Sequence, residues 1–434
     1  MRSALGTLVV VVSVAGIARA QPPEAPVTGA PAAPAAPDGY IVREGYRVEV
    51  MIERLPGARF LEFDDRGTLY VSRPGQGDIV AFRQEEPGGP WKRLGTFITG
   101  KRQVHGMHFR DGWLWFTTSG AVFKGRDADG DGVGEDVTEV LGGLPSGGHW
   151  WRSILVTGDG FYTSIGDSGN ITDQTTTDRQ KIWKYSLDGK DRSLFCSGIR
   201  NTEKLLLRPG THEVWGLDHG SDWFGKEVGD AQGNQPITDL NPPDEFNHYI
   251  QGGFYGHPFV VGDRLPRYEY LKREDIHDLA ADTIPPAWSV GAHWATNGFC
   301  FIDPGLNQRT GAFPRDHEGD AFIACHGSWN SSEPVGYCVA RIVFDKDPAL
   351  GGGPAGLLKI VSTVSGGRIR GRPVDCTQAP DGSVLFSTDQ PGRVYRLTRE
   401  AGPHRRQTPR HARDGMGRCG SKLSRTRKPP ATPA

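Results

Sequence analysis

Residues 205–217 read LLLRPGTHEVWGL: three leucines, a Pro-Gly turn, then a second apolar run built on Val214, Trp215 and Leu217. An apolar strand, a tight turn and a strand rich in aromatic and β-branched residues is the pattern of a β-hairpin. The unit recurs along the chain as FLEFDDRGTLYVS (60–72), MHFRDGWLWFTTS (107–119), ILVTGDGFYTSIG (154–166), FCFIDP with a delayed partner DAFIACHG (299–304 and 320–327) and CTQAPDGSVLFST (376–388). The early copies are spaced by about 45 to 55 residues, the length of one four-stranded propeller blade. Insertions at 222–243 and 262–292 spread the later ones. Amphipathic helical windows are scarce, so the expected fold is all-β, a six-bladed β-propeller of four-stranded blades. An open sandwich of hairpins would not explain the regular spacing, and it would leave more sheet edges unpaired.

Successive blades of a propeller are related by rotation about a central axis, so residues at one phase of the repeat converge at one mouth of the channel. About ten residues before the turn of successive copies stand His149, the pair Arg200 and Asn201, His293 and Arg372, with His105 slightly closer to its turn. Any one of them suits a satisfied core position. Jointly, histidines and arginines at one phase suit a pocket that binds an anion and moves protons. Downstream of the 205–217 hairpin lie His219, Gly220, Asp244, Glu245 and Asn247, a cluster that a stability role explains poorly.

The 434 residues carry a net charge of −1, and nothing in that balance favours nucleic acid; a small polar ligand fits better. Met1 and Arg2, an apolar run from Leu5 to Ile17 and Ala18-Arg19-Ala20 form a signal-peptide pattern over residues 1–20. No later stretch approaches the length of a membrane span, so the expected mature protein is periplasmic or secreted and does not span a membrane. Residues 21–38 are a Pro/Ala-rich linker and residues 401–434 a basic, aperiodic tail, which leaves 39–400 for the propeller. The six cysteines lack any CxxC or CxxCH spacing, so zinc and covalent haem are not expected. Buried thiols are the simplest reading. Cys325 and Cys338 are the pair to test for a disulfide, as they fall on neighbouring strands. The run GGGPAG at 351–356 follows no Rossmann-like strand and reads as a loop. In DADGDGVGED, Asp127, Asp129 and Asp131 with Gly130 and Gly132 have the look of a calcium loop, although Thr138 stands where an EF-hand carries Glu and no helices flank it. A second calcium or a plain Asx/Gly turn both fit.

The motifs GGHWWR, GIRN, DHGSD, NPPDEFN, GGFYGHP, GDAFIACHGSWN and RGRPVDCTQAPDGSVLFSTD resemble the glucose/sorbosone dehydrogenase family of quinoproteins over residues 39–400. The resemblance implies the cofactors pyrroloquinoline quinone and calcium, a small sugar substrate and an external electron acceptor such as a cytochrome. It also implies roles. His149 matches the catalytic base, Arg200 and Asn201 the quinone-contacting pair, and Asp244 an acid at the site. Gly220 and Ser221 match the turn whose carbonyls hold calcium, and Arg370 and Arg372 the arginines for cofactor carboxylates, with His105 and His219 beside the quinone. The chain departs from the family pattern at Thr202, His257, Thr296 and Ser331. Two other classes share such a propeller: a non-catalytic calcium-containing module that binds carbohydrate or protein, and a calcium-dependent lactonase.

Overall fold

The computed structural model describes residues 36–86, 88–224, 237–347 and 352–400. The signal segment, nearly all of the linker, the tail and Cys419 lie outside the described residues. Six antiparallel sheets follow one another along the chain, and the fold is a six-bladed β-propeller. Blade I spans Leu61–Phe63 to Trp91–Ile98, blade II Met107–Arg110 to Glu135–Leu141, and blade III Leu155–Thr157 to Arg192–Ser197. Blade IV begins at Thr202–Leu207 and ends at Trp288–Ala292, blade V begins at Thr296–Phe301, and blade VI begins at Arg372–Gln378. Every repeat copy found in the sequence is the innermost hairpin of a blade.

The N-terminal strands close the ring. Tyr46–Ile52 pairs with Arg393–Arg399 as the outermost strand of blade VI, and Ile41–Val42 adds a fifth strand to blade V through Pro354–Ser362. Blade V therefore exceeds the expected four strands. Each blade is buried on both faces, which is why its inner strands read as nearly unbroken apolar runs rather than as clean alternation. In blade I, Leu69 and Val71 pack towards blade VI while Tyr70, between them, packs towards blade II. One hydrophobic cluster fills each of the six junctions between neighbouring blades, including the closing junction of VI with I.

Two sequence expectations change here, and the reading of the cysteines as buried thiols stands. The run at 351–356 is not all loop, because Pro354 opens the strand Pro354–Ser362. The linker stops short of 38: Asp38 lies in the turn Pro37–Gly39, pairs with Arg393 and accepts a 2.6 Å hydrogen bond from the Tyr395 hydroxyl. Cys325 and Cys338 do face each other directly across neighbouring strands, yet both thiols are free, as are the buried Cys196, Cys300 and Cys376.

Candidate active site

In each inner hairpin the first strand starts where the second ends, as Thr202 pairs with Asp218 and Thr296 with Cys325. Both sets of residues therefore reach the same mouth of the channel, where a cavity of about 250 Å³ opens. His149, Arg200, Asn201, His219, Gly220, Asp244, His293 and Arg372 all line it.

Blade IV carries the arginine–asparagine pair, and Asp218 fixes its backbone. The Asp218 carboxylate accepts the N–H groups of Arg200 (2.8 Å) and Asn201 (2.7 Å) and the Thr202 hydroxyl (2.9 Å). Thr202, one of the departures, thus turns its side chain to Asp218 and to the Tyr249 hydroxyl (2.9 Å), inside the blade. The buried Arg200 guanidinium is aimed by the backbone and side-chain oxygens of Asn170, at 2.9 and 2.8 Å.

His149 precedes blade III. Its Nδ1 lies 3.0 Å from the Asp167 carbonyl oxygen. That oxygen can only accept, so the ring carries its proton on Nδ1 and leaves Nε2 as a free lone pair on the cavity wall. Burial, reinforced by the nearby Arg200 charge, lowers the His149 pKa to about 3, so the imidazole is neutral. The loop under it is braced by the Asp167 carboxylate, which takes the N–H groups of Gly169 (2.7 Å) and Thr172 (3.0 Å) and lies 2.8 Å from His257 Nε2. Burial alone would raise the pKa of that carboxylate; the bond to His257 and the backbone donors hold it at about 2. The departure at His257 therefore supports the loop under His149 from behind and does not face the main cavity.

Asp244 commits both carboxylate oxygens to backbone, accepting from Gly220 N and from Thr296 N at 2.9 Å each. It ties the Gly220 turn to blade V. His219 is likewise engaged at both nitrogens, with Asn201 Nδ2 at 3.1 Å and the Thr296 carbonyl at 2.9 Å.

Three expected residues are placed off the main wall. His105 is fully buried beneath it, its ring 4.9 Å from that of Trp151 and its Nε2 3.3 Å from Glu203. Arg370 is exposed, away from the cavity. Ser221 belongs to a smaller adjoining cavity of about 20 Å³, where its hydroxyl donates to the Trp223 carbonyl (3.1 Å) and accepts from the buried Arg267 (2.7 Å). Asp127, Asp129 and Asp131 lie far along the fold, in the outer connection of blade II, with ligand-type oxygens within 4.8 Å of one another. Asp127 also closes the loop by accepting from Gly130 N (2.7 Å) and Gly132 N (3.0 Å).

Other wall residues were not anticipated. Arg59 lies between Glu203 (3.0 Å) and Asp389 (3.2 Å), with its guanidinium 4.2 Å from the centre of the Trp151 ring. Burial would raise the pKa of Glu203, but the adjacent His105 ring and the Arg59 charge drive it well below the carboxylate range. His326 holds both oxygens of Asp389, at 3.1 and 3.0 Å. The signal for His326 and Asp389 was available: His326 follows, and Asp389 lies at the end of, the second strand of an inner hairpin, which returns to the mouth where the first strand began.

The sequence matches the TrAA12-like family over residues 40–400. The chain belongs to that family. Among solved structures, this TrAA12-like chain superposes on the calcium structure of a Trichoderma reesei carbohydrate-active enzyme of family AA12 with a TM-score of 0.71 at 19% identity, covering 83% of this chain and 97% of that one. The holo form of the pyranose dehydrogenase PQQ domain from Coprinopsis cinerea gives 0.69 at 18% identity, over 85% and 99%. The PQQ-bound aldose sugar dehydrogenase from Streptomyces coelicolor gives 0.55 at 17%, over 82% and 99%. Among curated proteins, an uncharacterized protein of Borreliella burgdorferi is 28% identical over 223 residues, 50% of this chain and 51% of that protein. The match thus spans about half of that curated relative.

Proposed function

We propose that this protein is an exported oxidoreductase that oxidises an aldose or related small sugar with pyrroloquinoline quinone and calcium, passing electrons to an external acceptor such as a cytochrome. The observation that carries this reading is His149, a neutral imidazole whose one free nitrogen lies on a cavity wall shared with Arg59, Arg200 and Arg372. When bound, the quinone supplies a planar tricarboxylate with a carbonyl that accepts hydride, and calcium, an oxygen-liganded cation, makes that carbonyl more electrophilic.

The residues present fit such a group. Arg372 donates only to the Ser328 carbonyl (3.3 Å) and the Tyr337 hydroxyl (3.1 Å), and no carboxylate lies within 4.0 Å of it among the described residues. Its charge is thus available to an anion. Asn201 Oδ1 is buried on the same wall without a hydrogen-bond partner. At Gly220 a Cβ would lie 2.7 Å from the Pro243 carbonyl oxygen and 2.9 Å from that of Pro242. A turn crowded by carbonyl oxygens, with no room for a side chain, has the donor chemistry that calcium takes.

Within this reading, Arg59, Arg200 and Arg372 hold carboxylates of the cofactor, and the turn at Gly220 and Ser221 offers carbonyls to the cation. Nε2 of His149 takes the hydroxyl proton of the sugar. Burial first and the Arg200 charge second make that nitrogen a weak base in the free protein, and an anion paired with Arg200 offsets the second of these. The test is reconstitution of the purified protein with pyrroloquinoline quinone and calcium, followed by cofactor absorbance and sugar-dependent dye reduction. Both are expected. Cofactor binding without turnover points to a non-catalytic module, and ester cleavage without added quinone to a lactonase.

A further inference from the structure

Of the eleven tryptophans, all described, Trp329 alone is exposed, with 68% of its surface open on the rim of the cavity that holds His149 and Arg372. A single exposed apolar residue is ordinary on a protein surface. Trp329 differs because its loop is pinned on both sides. On one side Asn330 donates its amide to the Asp222 carbonyl. On the other, Asp239 accepts from the Ser331 hydroxyl (3.2 Å), the Ser332 N–H (3.0 Å) and the Ser332 hydroxyl. Behind it the Tyr337 hydroxyl donates to the Ser328 carbonyl, and the edge-on ring of Trp223 lies 5.5 Å from the indole. Ser331, one of the departures from the family pattern, is thereby a structural clamp.

The backbone and its polar neighbours thus hold a flat apolar ring in place without covering it. A fixed ring loses little conformational freedom when something settles on it, which is the condition for a binding platform. The charged interior, with Arg59, Arg200 and Arg372, suits an anion and the reacting group. At the wet rim an amphipathic partner fits best: the C–H face of a pyranose ring packs on indole while its hydroxyls remain hydrated. We infer that Trp329 is a carbohydrate subsite for the pyranose unit linked to the one being oxidised, so that the chain prefers short oligosaccharides to single sugars. The inference rests on the sugar-oxidising reading above and names its substrate class.

The experiment uses the full chain and its Trp329→Ala and Trp329→Tyr variants, with cellotriose and maltotriose compared against glucose. Calorimetric titration of the cofactor-free proteins is expected to detect at least one trisaccharide. Its affinity should fall by about tenfold or more in W329A and stay within about threefold in W329Y. In the reconstituted proteins, with a small dye as acceptor, W329A should raise KM for that trisaccharide by a similar factor and KM for glucose by less than about twofold. No trisaccharide binding to the parent chain, or equal effects on trisaccharide and glucose, overturns the subsite. So does an effect of W329A seen with a protein acceptor but not with the dye, since the indole would then serve acceptor docking. Trisaccharide binding without dye reduction leaves the subsite standing while the oxidoreductase reading fails; the opposite pattern does the reverse.

Discussion

Replacing His149 with Gln tests the base and its environment together. Burial and Arg200 bring the pKa from 6.5 to about 3, so the folded protein refuses a proton that the unfolded chain accepts. Stability from this group is therefore complete above about pH 6.5 and declines as pH falls towards 3, because the unfolded state binds the proton first. With one pKa unit equal to about 1.4 kcal/mol, the native state should lose about 2 kcal/mol from His149 between pH 8 and pH 5. Gln carries no such proton. Urea unfolding of the cofactor-free parent and His149→Gln proteins at both pH values should therefore show the parent losing about 2 kcal/mol more than the variant. In the reconstituted enzyme, the same variant should keep cofactor absorbance and lose about two to four orders of magnitude in sugar turnover. Equal pH slopes for the two proteins would refute the buried neutral imidazole. Unchanged sugar turnover would remove His149 as the base.

Arg200→Ala should act on the holoenzyme itself: losing one charge-assisted contact worth about 1.5–3 kcal/mol lowers quinone affinity by about 10- to 100-fold, measured by titrating cofactor absorbance. Joint replacement of Asp127, Asp129 and Asp131 by Asn should lower the melting temperature in calcium and leave quinone binding intact, since the loop lies in the outer connection of blade II; equal melting temperatures with and without calcium, for both proteins, would mark a plain turn. N-terminal sequencing of exported protein should read from Gln21, and a mature chain that retains Met1 would sink the export prediction.

How far the fold could be read from the sequence follows from what each blade buries. The inner hairpins pack against neighbours on both faces, so they carry long apolar runs and strong turns, and all six were visible. Outer strands such as Trp91–Ile98 and Glu135–Leu141 have mixed, partly exposed faces and blur into the loops around them. Ring closure was invisible for another reason. The pairing of Tyr46 with Arg399 joins residues at opposite ends of the propeller, and local pattern holds no information about so distant a partner.

The site divides along the same physical line. Phase before the turn led to His149, Arg200, Asn201, His293 and Arg372, because a closed ring of hairpins brings equivalent positions to one mouth. It also included His105, which the ring places one layer too deep, beneath Trp151. The second strand of each hairpin returns to that mouth, so the same rule applied after the turn would have yielded Asp167, Asp218, His326 and Asp389. Three of these, Asp167, Asp218 and Asp389, each brace a neighbour on or under the wall: the loop beneath His149, the Arg200 turn, and Arg59 with His326. In blade IV the two strands of one hairpin divide the work, the first presenting Arg200 and Asn201 to the cavity and the second the Asp218 carboxylate that fixes their backbone. Asp218→Asn is thus a sharper probe than it looks: its carboxylate touches no ligand, yet its loss should disturb Arg200 and Asn201 together, lowering quinone affinity and stability at once.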